Sequence, residues 1–386
     1  MLMGLNKKRR ILREIKPTND ITTQFPKMWL PMLINKTFLV LLLLFSVYFV
    51  GMDLLLYFRV QNYDVRPRGN DTRISPYPSP ILCDVNPICT VTVKAMMLDH
   101  PNHYILSPLA SLVDYLLGIS RLWTWLTPNI ISVSHVIVAI IGARYITRNS
   151  LSHRRVGAVL FQVRAWLDNL DGHVARTRLN IDGERSDFGS IGYFVDGVCD
   201  GLGCIALVVA VFLFLKRNSN RRAGYERLPI RTSSTSNSAV SSVPFWKSPL
   251  YNMLMVGLNF SLTSIAWNRY ISVYQDLLET DSSILPITRK DLYDRQTVVF
   301  RSPSFWTVAL AWKTLNFHAM MDYLLLAIFM DRTWEYVRLA WWQLPSVLLL
   351  LVLISEFHYI NAYAYVEVSP VNESLRFFSL YALPSP

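Results

Sequence analysis

Apolar runs close to twenty residues long recur along the chain with polar segments between them, a spacing that predicts membrane helices rather than a soluble core. The clearest run, 37–58, reads TFLVLLLLFSVYFVGMDLLLYF. Six more follow at 128–147, 155–176, 187–215, 249–270, 304–330 and 334–360. Ahead of the second run, 107–126 mixes Leu109, Leu112, Val113, Leu116, Leu117 and Ile119 with Asp114 and Arg121. That mixture predicts an amphipathic helix in the membrane interface, with Trp123 and Trp125 at headgroup level. The expected fold class is all-α: a polytopic integral membrane protein with one amino-terminal signal-anchor span and a six-helix core. The expected boundaries are a basic amino terminus 1–36, the anchor 37–58, a connecting segment 59–106, a membrane core 107–360 and a tail 361–386.

Composition agrees: 52% hydrophobic residues and a mean hydropathy of +0.27 exclude an ordinary soluble globule. Charge adds an orientation. Lys7, Lys8, Arg9 and Arg10 precede the first run, and Lys216, Arg217, Arg221, Arg222, Arg227, Arg231 and Lys247 crowd 216–248. The positive-inside rule puts both segments in the cytosol and sends 59–105, 271–303 and the carboxyl terminus to the lumenal side. The net charge of +11 therefore belongs to membrane flanks and anionic lipids, and no nucleic-acid partner is expected. On the lumenal side lie the sequons at Asn70 and Asn372, both glycosylation candidates, and Cys83 and Cys89, a candidate disulfide. Cys199 and Cys204 fall within a span and are expected to pack.

The chemistry concentrates in two adjacent spans, which carry Asp168-x-x-Asp171-Gly172-x-x-Ala175-Arg176 and Gly192-x-x-x-Asp196-x-x-x-Asp200. Residues three and four apart share a helix face, so each pair of acids lines a stripe. Folding the chain back near Gly183 sets Asp171 level with Asp196 and Asp168 level with Asp200. Ionised acids are costly in a bilayer unless they serve a purpose, and four together require cations. All-oxygen ligands suit hard ions such as Mn²⁺ or Mg²⁺, and the set predicts a two-ion site built for in-line phosphoryl displacement. Gly172, Ala175 and Gly192 leave room for a nucleotide, and Arg176 offers a fork for phosphate.

The runs DNLDGHVAR and GYFVDGVCD resemble the signature of the CDP-alcohol phosphotransferases, and Thr127-Pro128-Asn129 is similar to the segment that opens the first core helix of that family. The resemblance covers about residues 107–360. It implies that Asp168, Asp171, Asp196 and Asp200 hold two metal ions. It also implies that Asp200 completes the second metal site or takes the proton from the acceptor. Asn129, Gly172, Ala175, Arg176 and Gly192 would contour the cytidine diphosphate pocket. Fifteen residues separate Arg176 from Gly192, a longer tip than the family commonly has and one similar to the insect-type ceramide phosphoethanolamine synthases. CDP-ethanolamine and ceramide are thus the implied substrates. A lumenal active site on the order of 15 Å deep, by counting helix rise, suits sphingolipid synthesis in a Golgi membrane. The alternatives are an ethanolamine or choline phosphotransferase acting on diacylglycerol, and a transporter with a cation site in its bundle. A homodimer is left open as the assembly.

Further polar residues interrupt the spans. His135 lies near two turns beyond Asn129 and could reach the acids, although a satisfied core histidine is the blander reading. Lys313 and Asn316 share a face in the 304–330 run and could meet the acceptor or headgroup; Glu356 and His358 could meet the ethanolamine amine.

Overall fold

The computed structural model describes residues 25–65, 79–179, 191–226, 248–281 and 287–368, and all regular structure among them is helical. The sequons at Asn70 and Asn372, the tip around Gly183 and the Ser-rich stretch 233–242 lie outside the described residues. The chain divides into two compact units, Met1–Leu54 and Leu55–Pro386. In the first, helix α1 (Phe25–Gln61) begins, and Leu39, Leu43, Leu44 and Val47 along it are exposed. An apolar surface of that extent is suited to lipid.

The second unit holds the end of α1 and all remaining helices. Its short opening elements are α2 (Val93–Met97), a π-helical turn at Asn102–Leu106, α3 (Ser107–Leu117) and α4 (Ile119–Leu122). Long helices α5 (Pro128–Ile146), α6 (Leu151–Leu179), α7 (Ile191–Glu226) and α8 (Pro249–Leu278) follow. Then come α9 (Arg289–Arg301), α10 (Pro303–Leu315), α11 (Phe317–Phe329) and α12 (Thr333–Tyr363). A disulfide joins Cys83 to Cys89.

Local sequence explains where these helices begin. Thr127 accepts a hydrogen bond from the Ile130 amide with Pro128 at the first position of α5, and Ser302 accepts from the Phe305 amide with Pro303 opening α10. Both are favourable amino-terminal caps. Gly118 ends α3 at φ +63°, a left-handed conformation that glycine adopts cheaply. Residues 107–126 are therefore two helices, not one. Leu109, Leu112 and Leu116 face outward while Ala110, Ser111 and Asp114 are buried, so α3 turns its polar residue Asp114 toward protein.

The 304–330 run departs most from expectation, because the chain breaks at Asn316 (ψ 170°) into α10 and α11. The Asn316 side chain accepts from the Ala319 amide at 2.8 Å and donates to the Met97 carbonyl at 3.0 Å. A side chain that caps the next helix and reaches a distant backbone competes with helix continuation. The expected 271–303 loop is likewise mostly helical, formed by the last turns of α8 and by α9, and Gln296 ties the two by donating to the Leu277 and Thr280 carbonyls.

By length and composition, Lys36–Gln61, Pro128–Ile146, Phe194–Asn218 and Pro345–Glu367 can cross a membrane. Helices α6 and α8 are 29 and 30 residues long but less apolar, and α6 carries Arg154, Arg155, Arg164, Asp168, Asp171, Arg176 and Arg178. Polarity there is concentrated where the chemistry is. Helix α5 packs against both α6 and α7, and Arg164 of α6 reaches Asp200 of α7. A Cβ on Gly157 of α6 would lie 2.8 Å from the Gly142 carbonyl oxygen of α5, so the two backbones touch there.

Candidate active site

Because α5 lies against both acid-bearing helices, its inward side chains reach the acids. One ligand atom from each of His135, Asp168, Asp196 and Asp200 falls within 4.8 Å of the others. Asp168 and Asp200, the pair that the spacing sets level, meet in this cluster. Asp171 borders the cluster rather than entering it. It is 3% exposed, accepts from Ser132 Oγ at 2.7 Å and lies 4.0 Å from His135 Nε2.

Arg164 is the residue that sequence reading missed. It stands one turn before Asp168 on the same helix face, is 1% exposed and donates to Asp200. Space for it comes from α7, where a Cβ on Gly203 would sit 3.0 Å from Arg164 Nε. The signal was present in the sequence, since an arginine within an apolar span is rarely idle.

Several atoms here lack hydrogen-bond partners among the described residues: both ring nitrogens of His135, Asp196 Oδ1 and Arg164 Nε. An imidazole at 0% exposure with two unmet nitrogens is expensive unless something binds it. Three carboxylates and an imidazole fit a divalent ion such as Mn²⁺ or Mg²⁺, the nitrogen favouring the former.

The cluster opens into a cavity of about 650 Å³. The acids, Gly172, Arg176, Lys94, Asn102, residues of α8 and His318 of α11 line it. A Cβ on Gly172 would come within 3.1 Å of Arg176 Nη1, so that glycine leaves space for the guanidinium to fold back along α6. Asn129 and Gly192 are exposed and Ala175 is half-buried, and none of the three lines the cavity. Lys313 and Asn316 also stand away from it, fully buried. Lys313 Nζ donates to the Tyr104 hydroxyl at 2.7 Å and lies 4.1 Å from that ring's centre, an interior use of its charge. Glu356 is engaged by Arg269 and Tyr270, and His358 by Tyr274 at 2.7 Å.

A family model for ceramide phosphoethanolamine synthase matches residues 31–369, which takes in the entire cluster. The chain belongs to the ceramide phosphoethanolamine synthase family. The ceramide phosphoethanolamine synthase of Drosophila melanogaster is 37% identical, over 86% of this chain and 95% of that protein. No solved structure matches. This member of the ceramide phosphoethanolamine synthase family is thus a multi-pass membrane transferase with its acids beside a large cavity.

Proposed function

We propose that the protein transfers phosphoethanolamine from CDP-ethanolamine to the primary hydroxyl of ceramide, giving ceramide phosphoethanolamine and CMP. The observation that carries this reading is the cluster of Asp168, Asp196 and Asp200 around the unsatisfied His135, set in a cavity that also presents Arg176. Asp168, Asp171, Asp196 and Asp200, with His135 beside them, hold two divalent ions, Mn²⁺ or Mg²⁺. Bound ions supply neutralisation of the diphosphate and of the departing CMP.

The chain's own residues do the rest. Arg176 binds donor phosphate with a planar fork, and Gly172 keeps that fork clear. Asp200, fixed in place by Arg164, accepts the proton of the ceramide hydroxyl. The hydroxyl oxygen bonds to the phosphorus nearer ethanolamine, and the bond from that phosphorus to the CMP oxygen breaks. Diacylglycerol in place of ceramide is the nearest rival. Purified full-length protein, given labelled CDP-ethanolamine and Mn²⁺ with either acceptor, is expected to label ceramide at least about tenfold faster. Preference for diacylglycerol would overturn the acceptor.

The site faces the lumen of the Golgi, with the amino terminus cytosolic. Charge supports this orientation, since the basic segments 7–10 and 216–248 then both lie in the cytosol. Glycosidase treatment is expected to increase gel mobility through the sequons at Asn70 and Asn372. A shift that survives substitution of both asparagines would contradict this topology.

A further inference from the structure

Residues of α8 line the same cavity as the acids. Ile205 of α7 and Ile265 of α8 both line the cavity, yet they are 59% and 67% exposed. The cavity therefore reaches the outer surface between these two helices, where an apolar rim meets lipid. Behind Ile205, one turn apart, lie Gly201 and Gly197, both lining the cavity. A Cβ on either glycine would meet nothing within 4 Å. Helix packing does not require these glycines, and together they leave an open groove along α7.

Into the same cavity α8 presents Ser261, Ser264, Asn268 and Gln275. Polar side chains on a membrane helix are costly when unused. Ser261 commits its hydroxyl to the Gly257 carbonyl at 3.0 Å, but Asn268 Nδ2 reaches Ser264 Oγ only at 3.5 Å, the outer limit of a hydrogen bond. Gln275, 4% exposed, has an Nε2 with no partner among the described residues. This lining thus carries one donor without a partner among the described residues, Gln275 Nε2, and an Asn268–Ser264 pair held only by a long hydrogen bond.

We infer that the α7–α8 gap is the lateral port for the acceptor lipid, and that Asn268 and Ser264 read the amide and secondary hydroxyl beside its reacting oxygen. This rests on the proposed reaction. A sphingoid acceptor carries N–H, C=O and O–H groups next to the primary alcohol, whereas a glycerol diester offers only ester oxygens as acceptors. An asparagine side chain both donates and accepts, and so pairs with an amide in a way that it cannot pair with an ester. The discrimination has a physical source, because a site built to exchange hydrogen bonds penalises an acceptor that leaves them unmade.

The test crosses enzyme variants with acceptor analogues, using ceramide, N-methylated ceramide and 3-deoxyceramide with labelled CDP-ethanolamine. The wild type is expected to prefer ceramide over each analogue by about tenfold to a hundredfold in kcat/KM. In Asn268→Leu, kcat/KM for ceramide is expected to fall by a similar factor and the preference over N-methylated ceramide to collapse toward unity, with KM for CDP-ethanolamine unmoved. Ser264→Ala carries the same ratio test on the secondary hydroxyl if Asn268→Leu does not express. Gly201→Leu, which fills the groove, is expected to raise KM for all three acceptors and leave that for the nucleotide unchanged. Wild-type ratios retained in Asn268→Leu and Ser264→Ala would overturn the inference alone. A wild type inactive toward every ceramide would overturn the proposed reaction, a distinguishable result.

Discussion

Asp196→Ala and Asp200→Ala are each expected to lower turnover by about a thousandfold or more, with the protein still expressed and monodisperse in detergent. The two acids meet Asp168 and His135 in one cluster, so either truncation removes a ligand from the centre of the proposed chemistry. Asp196→Ala is the cleaner variant. Its Oδ1 has no partner among the described residues, so losing it sacrifices no hydrogen bond at that oxygen and relieves crowding with like charges. Asp200→Ala also strips Arg164 of its partner and carries a stability cost of its own. Turnover of labelled CDP-ethanolamine, with size-exclusion profiles as the folding control, separates the two effects. Activity retained in Asp196→Ala would remove that residue from the site.

Arg164→Met should have the second largest effect, and it should fall first on stability. The guanidinium is 1% exposed and is bonded to Asp200, which shares its cluster with Asp168. Methionine nearly preserves the volume but leaves two acids in an apolar bundle without their fixed cation. Asp200 is 30% exposed, so breaking the pair from its buried arginine side costs on the order of 1–3 kcal/mol, less than for a pair buried on both sides. A lowered midpoint of thermal unfolding in detergent is expected, partly restored by Mn²⁺, because a divalent ion can supply the missing positive charge. A midpoint equal to wild type, with or without Mn²⁺, would mean that Arg164 does not hold the acids together.

The sequence made the acid stripes legible because helical spacing alone determines which residues share a face. Bringing Asp168 and Asp200 together needed only that spacing and a reversal of the chain. His135 was harder to place, since the direction of its ring depends on how α5 sits against α6 and α7. Close approach at Gly142 and Gly157 settles that, and two glycines fifteen positions apart do not announce that they touch. The break at Asn316 was hidden for a similar reason. The run around it stays apolar, and what interrupts it is a hydrogen bond to Met97, far away in sequence. Lys313 and Asn316 read as ligand contacts because polar groups in a span demand a use; the structure supplies that use from Tyr104 and Met97 instead.

Binding of Mn²⁺ to the purified protein, followed by electron paramagnetic resonance, tests the metal cluster most directly. About two ions per chain are predicted for the wild type, with ¹⁴N coupling from His135 that disappears in His135→Gln, and with binding lost in Asp168→Ala. Undiminished Mn²⁺ binding in Asp168→Ala would contradict the assignment of these acids as the metal-holding centre.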